Sequence, residues 1–329
     1  MINWRSQIDE DFYKKILIPV LNKEPTTVFI GAGLSKHAGY PLLDELIKLL
    51  HIRAQEHTGR EIKLDGDWKE KAQRCKDALG DANFNQILID RFNPENNRTN
   101  SNSLHTNLVK IPFKSIVTTN YDSCIELAFR DEGVTRTPLF YTTLNSSELG
   151  NNSLQHIHGY IDPQDPHNTV GSIILTTDDF AQAYRDTPGS VKRFLIDLFL
   201  NQNVIFLGFN MSDKILTNDI LNPVKEAIED NQKIAASRRL PPITKRRHFA
   251  ILENTIQIDD MDGKILSDQE KERLIREQDT NLQLLSVLPI RYNLDPQKNH
   301  KSVENIIIDM KSFFTSALEL TSSEAGDIV

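Results

Sequence analysis

At 329 residues, with 39% hydrophobic and 26% charged residues, the chain has globular proportions and enough length for one large domain or two smaller ones. A formal net charge of -8 argues against general nucleic-acid binding, no apolar run approaches the roughly 18 residues of a membrane span, and the start MINWRSQIDEDFYKK lacks a signal peptide's apolar stretch, so a soluble cytoplasmic protein is expected. Two cysteines, Cys75 and Cys124, with no C-x-x-C, exclude a disulfide framework and a four-thiolate zinc site.

The first expected element is a leading helix within residues 1–25, where Ile8, Phe12, Ile16 and Val20 recur at helical spacing and Pro19 signals its end. TTVFI (26–30) reads as a short buried strand and GAGLS (31–35) as a glycine turn, after which Leu43, Leu46, Ile47 and Leu50 mark the apolar face of a helix. Residues from about 58 to 110 carry helical pieces, WKEKAQRCKDAL and NFNQILIDRF, then the loop NPENNRTNSNS, and predict an inserted helical module. Alternation resumes with FKSIVTTNYD (strand, then turn), SCIELAFR (helix), PLFYTT (strand), LQHIHGYID (strand, then turn) and SIILTT (strand). A helical stretch capped at Thr177 follows, then NVIFLGF, HFAIL and LPIRYNL as further strands, and 321–329 is a polar tail. Strands apolar on both faces and alternating with helices predict a doubly wound α/β fold with a mostly parallel, Rossmann-like sheet.

Two stretches stand outside that pattern. SRRLPPITKRRH (237–248) is a stiff basic loop, either a solvated connector or a docking site for an acidic partner. IDDMDGKILSDQ (258–269) imitates a calcium loop, but Ile258 and Gln269 stand where calcium needs carboxylates, so it reads as an acidic turn.

Ligands of an open parallel sheet sit beyond the carboxyl ends of its strands, and four turns there carry the candidate chemistry. In Gly31-Ala32-Gly33-Leu34-Ser35, small residues let backbone N–H groups approach a pyrophosphate at a new helix start, although a third dehydrogenase-type glycine is replaced by Lys36. TTNYD runs a strand into Thr118, Thr119, Asn120 and Asp122, and Asn120 alone fits a turn former as well as a functional amide. HIHGYID places His156 and His158 on one side of a strand before Gly159, where they fit a surface pair or, lacking a third ligand, an incomplete metal site. LGFN offers Gly208 as space and Asn210 as an amide for a sugar hydroxyl.

Taken in that order around a helical insert, GAGLS, TTNYD, HIHGYID and LGFN resemble the sirtuin (Sir2-like) catalytic domain over residues 26–320, and most nearly the bacterial Sir2-like effectors of antiphage defence. The resemblance implies an NAD-consuming enzyme that needs no metal. It makes Asn120 and His158 the catalytic pair, Gly31, Ala32, Gly33 and Ser35 the phosphate cradle, Thr118 and Asp122 further NAD contacts with Asp122 at the nicotinamide carboxamide, and Gly208 with Asn210 the adenosine-side pocket. It also implies a homo-oligomer with a separate sensor or regulator, such as a HerA-like ATPase, an Argonaute-like protein or a nucleotide pyrophosphatase-like subunit. Departures from deacylases are clear: Pro41 leads to Leu42, Leu43 and Asp44 instead of Asp-Phe-Arg, Thr119 replaces glutamine, and the zinc cysteines are absent. The readings left open are an NAD glycohydrolase, a deacylase or ADP-ribosyl transferase, and a non-catalytic NAD or ADP-ribose sensor.

Overall fold

The computed structural model describes residues 24–93, 103–140, 142–185, 190–209, 221–239, 246–254, 267–292 and 303–312, with Leu17, Pro19, Val20, Thr187 and Met211. Most of the expected leading helix, the middle of the basic loop, nearly all of the calcium-like loop, Asn210 and the tail lie outside the described residues.

In chain order the first elements are β1 (Thr26–Ile30), α1 (Ala32–Ser35), α2 (Leu43–Thr58), α3 (Trp68–Phe92), α4 (Ser103–Leu108), β2 (Ser115–Thr118), α5 (Cys124–Asp131), β3 (Leu139–Phe140) and β4 (Ser153–His156). They are followed by α6 (Pro166–Thr169), α7 (Thr177–Ala183), α8 (Val191–Asn201), β5 (Asn203–Leu207), α9 (Asn222–Ser237), β6 (His248–Glu253), α10 (Asp268–Leu284), β7 (Val287–Tyr292) and a helix at 303–312. The strand order is β3-β4-β2-β1-β5-β6-β7, and the pairs β2–β4, β3–β4, β5–β6 and β6–β7 are parallel. This is the α/β arrangement the sequence predicts. β1, β2 and β5 are buried along their whole length, which is why they read as continuous apolar runs.

The chain divides into two compact units. The unit made of Phe29–Thr106 and Ser115–Leu195 holds the candidate chemistry. Its helical core packs Leu46, Ile47, Leu50 and Ala54 of α2 with Cys75, Leu79, Phe84 and Leu88 of α3. Asp67 and Glu70 form a capping box that starts α3, and the helix breaks at Gly80, whose φ of 73° is open to glycine at little cost.

Three expectations change here. Among its described residues PLFYTT contributes the two-residue β3. SIILTT is no strand: Val170–Ser172 is a 3-10 turn, and Ile173, Ile174 and Leu175 are buried outside the sheet. A short apolar run looks alike in a strand and in buried coil, and here the Ile174 N–H donates to the His158 carbonyl while its own carbonyl accepts from the Tyr121 hydroxyl. The cap of α7 is Thr176, not Thr177, because Thr176 accepts from the Asp179 N–H and Asp179 returns the bond.

In the other unit, β5 is tied down by Asn203, whose amide donates to Glu24 and whose oxygen accepts from the Arg247 N–H. A Ser267/Glu270 capping box starts α10, and Arg291 of β7 reaches its Asp279 at 2.6 Å.

Candidate active site

The site grows from three strand ends of one unit. β1 stops at Ile30, and its last carbonyl is shared by the Thr119 N–H (3.2 Å) and the Thr118 hydroxyl (3.0 Å), so the turn after β2 is stitched to the glycine turn. Gly31 sits in extended backbone (φ -110°, ψ 173°), which any residue adopts, so glycine here provides close approach instead of an unusual dihedral. The short α1 passes into a 3-10 turn that ends at Gly39 in the left-handed region (φ 86°).

Asn120 is the most constrained of the predicted residues. Its N–H donates to the Thr118 hydroxyl at 3.0 Å, and its side-chain amide donates to the Gly31 carbonyl at 3.2 Å and the Ser35 hydroxyl at 2.9 Å. Its side-chain oxygen Oδ1 is buried with no hydrogen-bond partner among the described residues. A buried unpaired acceptor costs on the order of 1–3 kcal/mol, so a ligand that donates to it regains that energy. Ser35 faces Asn120 in a buried contact, which differs from an open phosphate donor. Asp122 is buried too, with one carboxylate oxygen accepting from the Cys124 N–H as α5 begins.

β2 and β4 align Thr118 with His156, so Asn120 and His158 each lie two residues beyond paired positions on adjacent strands. The two chains stay in step past the strand ends, where the Ile157 N–H donates to the Thr118 carbonyl and the Ile161 N–H to the Tyr121 carbonyl. β4 ends at His156, so the two histidines do not share a strand face as expected. Gly159 turns the chain (φ 79°), and a Cβ there would lie 2.2 Å from the Ser172 carbonyl oxygen. His158 stands in an aromatic corner: Nε2 is 2.7 Å from the Tyr184 hydroxyl, and the Phe180 ring meets it edge-on at 5.2 Å. Burial lowers its pKa from 6.5 to about 3, so the ring is neutral at physiological pH.

His156 is a fully buried strut instead of a surface group. Its Nδ1 is 2.9 Å from the Asn120 carbonyl and its Nε2 is 2.7 Å from Glu126 Oε1. Burial by itself would depress its pKa, but the charge and hydrogen bond of Glu126, the Asn120 carbonyl and the charge of Asp122 outweigh it and raise the value. The two rings therefore aim at different partners, and no cluster of three metal-binding side chains occurs among the described residues. Nearby, His105 of α4 is buried with neither nitrogen hydrogen-bonded among the described residues, and burial lowers it to about 4 against the pull of Asp122.

Gly31, Ala32, Gly33, Ser35, Thr118, Asn120, Asp122 and His158 thus fall within one unit, while Gly208 closes β5 in the other with φ 72°. The residues missed by sequence reasoning are Glu126, Phe180 and Tyr184. The four-residue spacing of Phe180 and Tyr184, which stack at 5.1 Å, was the available signal. An open groove of about 1120 Å³ runs between α2 and α3, lined by Lys36, Tyr40, Arg53 and Arg91 among others, but Asn120, Ser35 and His158 do not line it, so it is not the candidate reaction site.

Residues 114–275 match the family model of the SIR2-like domain. The chain is 29% identical over 268 residues to a protein of Enterococcus faecium named NAD(+) hydrolase ThsA, covering 78% of this chain and 50% of the relative. A protein of the same name from Bacillus cereus is 27% identical over 248 residues, covering 74% and 45%. The chain thus spans about half the length of the curated relatives it matches. A solved structure of Sir2Tm bound to a propionylated peptide aligns over 80% of this chain and 97% of that one, with a TM-score of 0.35 and 13% identity.

Proposed function

We propose that the protein, whose residues 114–275 match the SIR2-like family model, is an NAD glycohydrolase that splits NAD into nicotinamide and ADP-ribose. The observation that carries this reading is the buried Oδ1 of Asn120, which has no hydrogen-bond partner among the described residues and lies as far beyond its strand as His158 lies beyond the neighbouring one.

The bond to be broken joins the ribose C1′ to a cationic pyridinium nitrogen. When it breaks, the electron pair leaves with neutral nicotinamide, so no strong general acid is required. Water then adds to an oxocarbenium-like C1′ and gives up a proton. Oδ1 of Asn120 accepts from that water or from a ribose hydroxyl and fixes its position. The neutral His158 accepts a proton from the same hydroxyl or water, Tyr184 giving up Nε2 as it does so. Gly31, Ala32 and Gly33 hold the diphosphate, Thr118 makes a further NAD contact, and Asp122 lies at the nicotinamide carboxamide.

An enzyme that destroys a central cofactor has to be restrained at rest. On this reading it works in the cytoplasm as a triggered antiphage effector, a homo-oligomer under the control of a separate sensor of the HerA-like, Argonaute-like or nucleotide pyrophosphatase-like kind. Among the described residues no helix is long and apolar enough to cross a membrane. Incubation of the protein with NAD, followed by separation of the products, is expected to give nicotinamide and ADP-ribose in equal amounts. Recovery of intact, bound NAD would instead identify a sensor.

A further inference from the structure

Asn120 is held at its N–H, at its side-chain amide and also at its carbonyl, and the last of these restraints comes from His156. The two groups that His156 faces across hydrogen bonds are the Asn120 carbonyl, which can only accept, and the carboxylate of Glu126, which accepts when ionised. A neutral imidazole has a single N–H and cannot donate to both. The arrangement is complete with both ring nitrogens protonated, as an imidazolium against a carboxylate, or with the same proton on Glu126. Either way, it holds one proton more than a neutral histidine beside an ionised glutamate. Asp122, in the turn after β2, also favours that proton, and the ring of Tyr160, whose hydroxyl donates to Asp162, lies 4.8 Å away. The second oxygen of Glu126 is buried with no hydrogen-bond partner among the described residues, and a protonated His156 would offset the charge of that carboxylate.

We propose that His156, held in its protonated form by Glu126, is a positioning residue for Asn120, fixing the peptide that follows it and so the direction of Oδ1. The kinetic side of this proposal rests on the NAD-cleaving reading above; its protonation side does not. As pH rises and the pair loses its shared proton, the one N–H left on His156 goes to the charged carboxylate, the stronger acceptor. The Asn120 carbonyl then loses its donor, and turnover falls on the alkaline side. Glu126→Gln removes that conflict, because the new amide can donate to Nε2 while a neutral ring keeps its N–H on Asn120.

The test uses the full chain. In ¹⁵N-histidine NMR, His156 is expected to show two protonated nitrogens at pH 8 in the unmodified protein, and one in Glu126→Gln. In steady-state kinetics, Glu126→Gln is expected to lose the alkaline fall in kcat with KM for NAD within about threefold, and His156→Leu, if it folds, to lower kcat about 10–100-fold at similar KM, a loss of the size general positioning effects allow. A singly protonated His156 at pH 8, or a Glu126→Gln profile that keeps the wild-type alkaline limb, overturns the proposal. If the protein does not cleave NAD, hydrogen exchange of the Asn120 side-chain amide decides the positioning role. Protection that falls with rising pH in the unmodified protein but not in Glu126→Gln supports it, and equal profiles refute it.

Discussion

His156 and His158 stand two residues apart on one chain segment, both buried, and their surroundings make them chemically opposite. His156 has an acidic partner on α5 and a carbonyl acceptor, and its pKa is raised. His158 has a phenol and an aromatic edge, and its pKa is lowered to about 3. Burial disfavours charge in both, so the difference lies in the compensating charge that only His156 receives. The imidazole at the strand end is a strut, and on the proposed reading the one beyond it is the group left to react.

Gly159 is what separates the two environments, and changing it is expected to have the largest effect on the contrast. Gly159→Ala places a Cβ 2.2 Å from the Ser172 carbonyl oxygen at a left-handed φ, and the combined strain and overpacking should cost roughly 2–5 kcal/mol. Denaturant titration should show that loss, and the folded fraction should have a displaced His158 and turn over NAD slowly. Wild-type stability and turnover would mean that the turn does not aim the ring.

Acid should act on the two histidines with opposite sign. The unfolded chain takes up protons on His158 and His105 as pH falls below about 6.5, whereas the native protein does so only near 3 and 4. The unfolded state then binds more protons, and stability drops by at most about 1.4 kcal/mol per histidine per pH unit across that window. His156 works the other way, its contribution being complete below 6.5 and lost as pH rises through its raised native value. Urea midpoints between pH 4 and 9 should therefore peak in between, and His156→Leu should remove the alkaline decline alone.

The smallest expected effect belongs to Tyr184, whose hydroxyl holds His158 Nε2 in the absence of substrate. Tyr184→Phe removes one hydrogen bond that substrate must displace, of net worth around 1 kcal/mol. The expected result is a KM for NAD lower by about fivefold with kcat unchanged. A fall in kcat would place the hydroxyl in the reacting geometry instead.

What the sequence made legible follows the same division. Asn120 and His158 stood out as candidates because each follows a strand, and turns at that edge are where an α/β fold puts its chemistry, while their pairing rested on the order of the four motifs. The role of His156 was hidden because Glu126, its deciding partner, lies 30 residues away on a helix. Tyr184 is separated from His158 by 26 residues for the same reason. Alternation in HIHG suggested a shared face, but the strand stops at His156, and nothing local in the sequence marks that end one residue before Ile157. SIILTT misled because apolar content registers burial and not ladder pairing.

The central claim is that the Asn120 amide oxygen and the neutral His158 ring act on the NAD ribose. Its most direct test is nicotinamide release by Asn120→Ala and His158→Ala at saturating NAD, with NAD affinity measured on the same samples. The account predicts turnover lower by about 10²–10⁴ with affinity nearly intact. Turnover within about tenfold of the unmodified protein in both variants would contradict it.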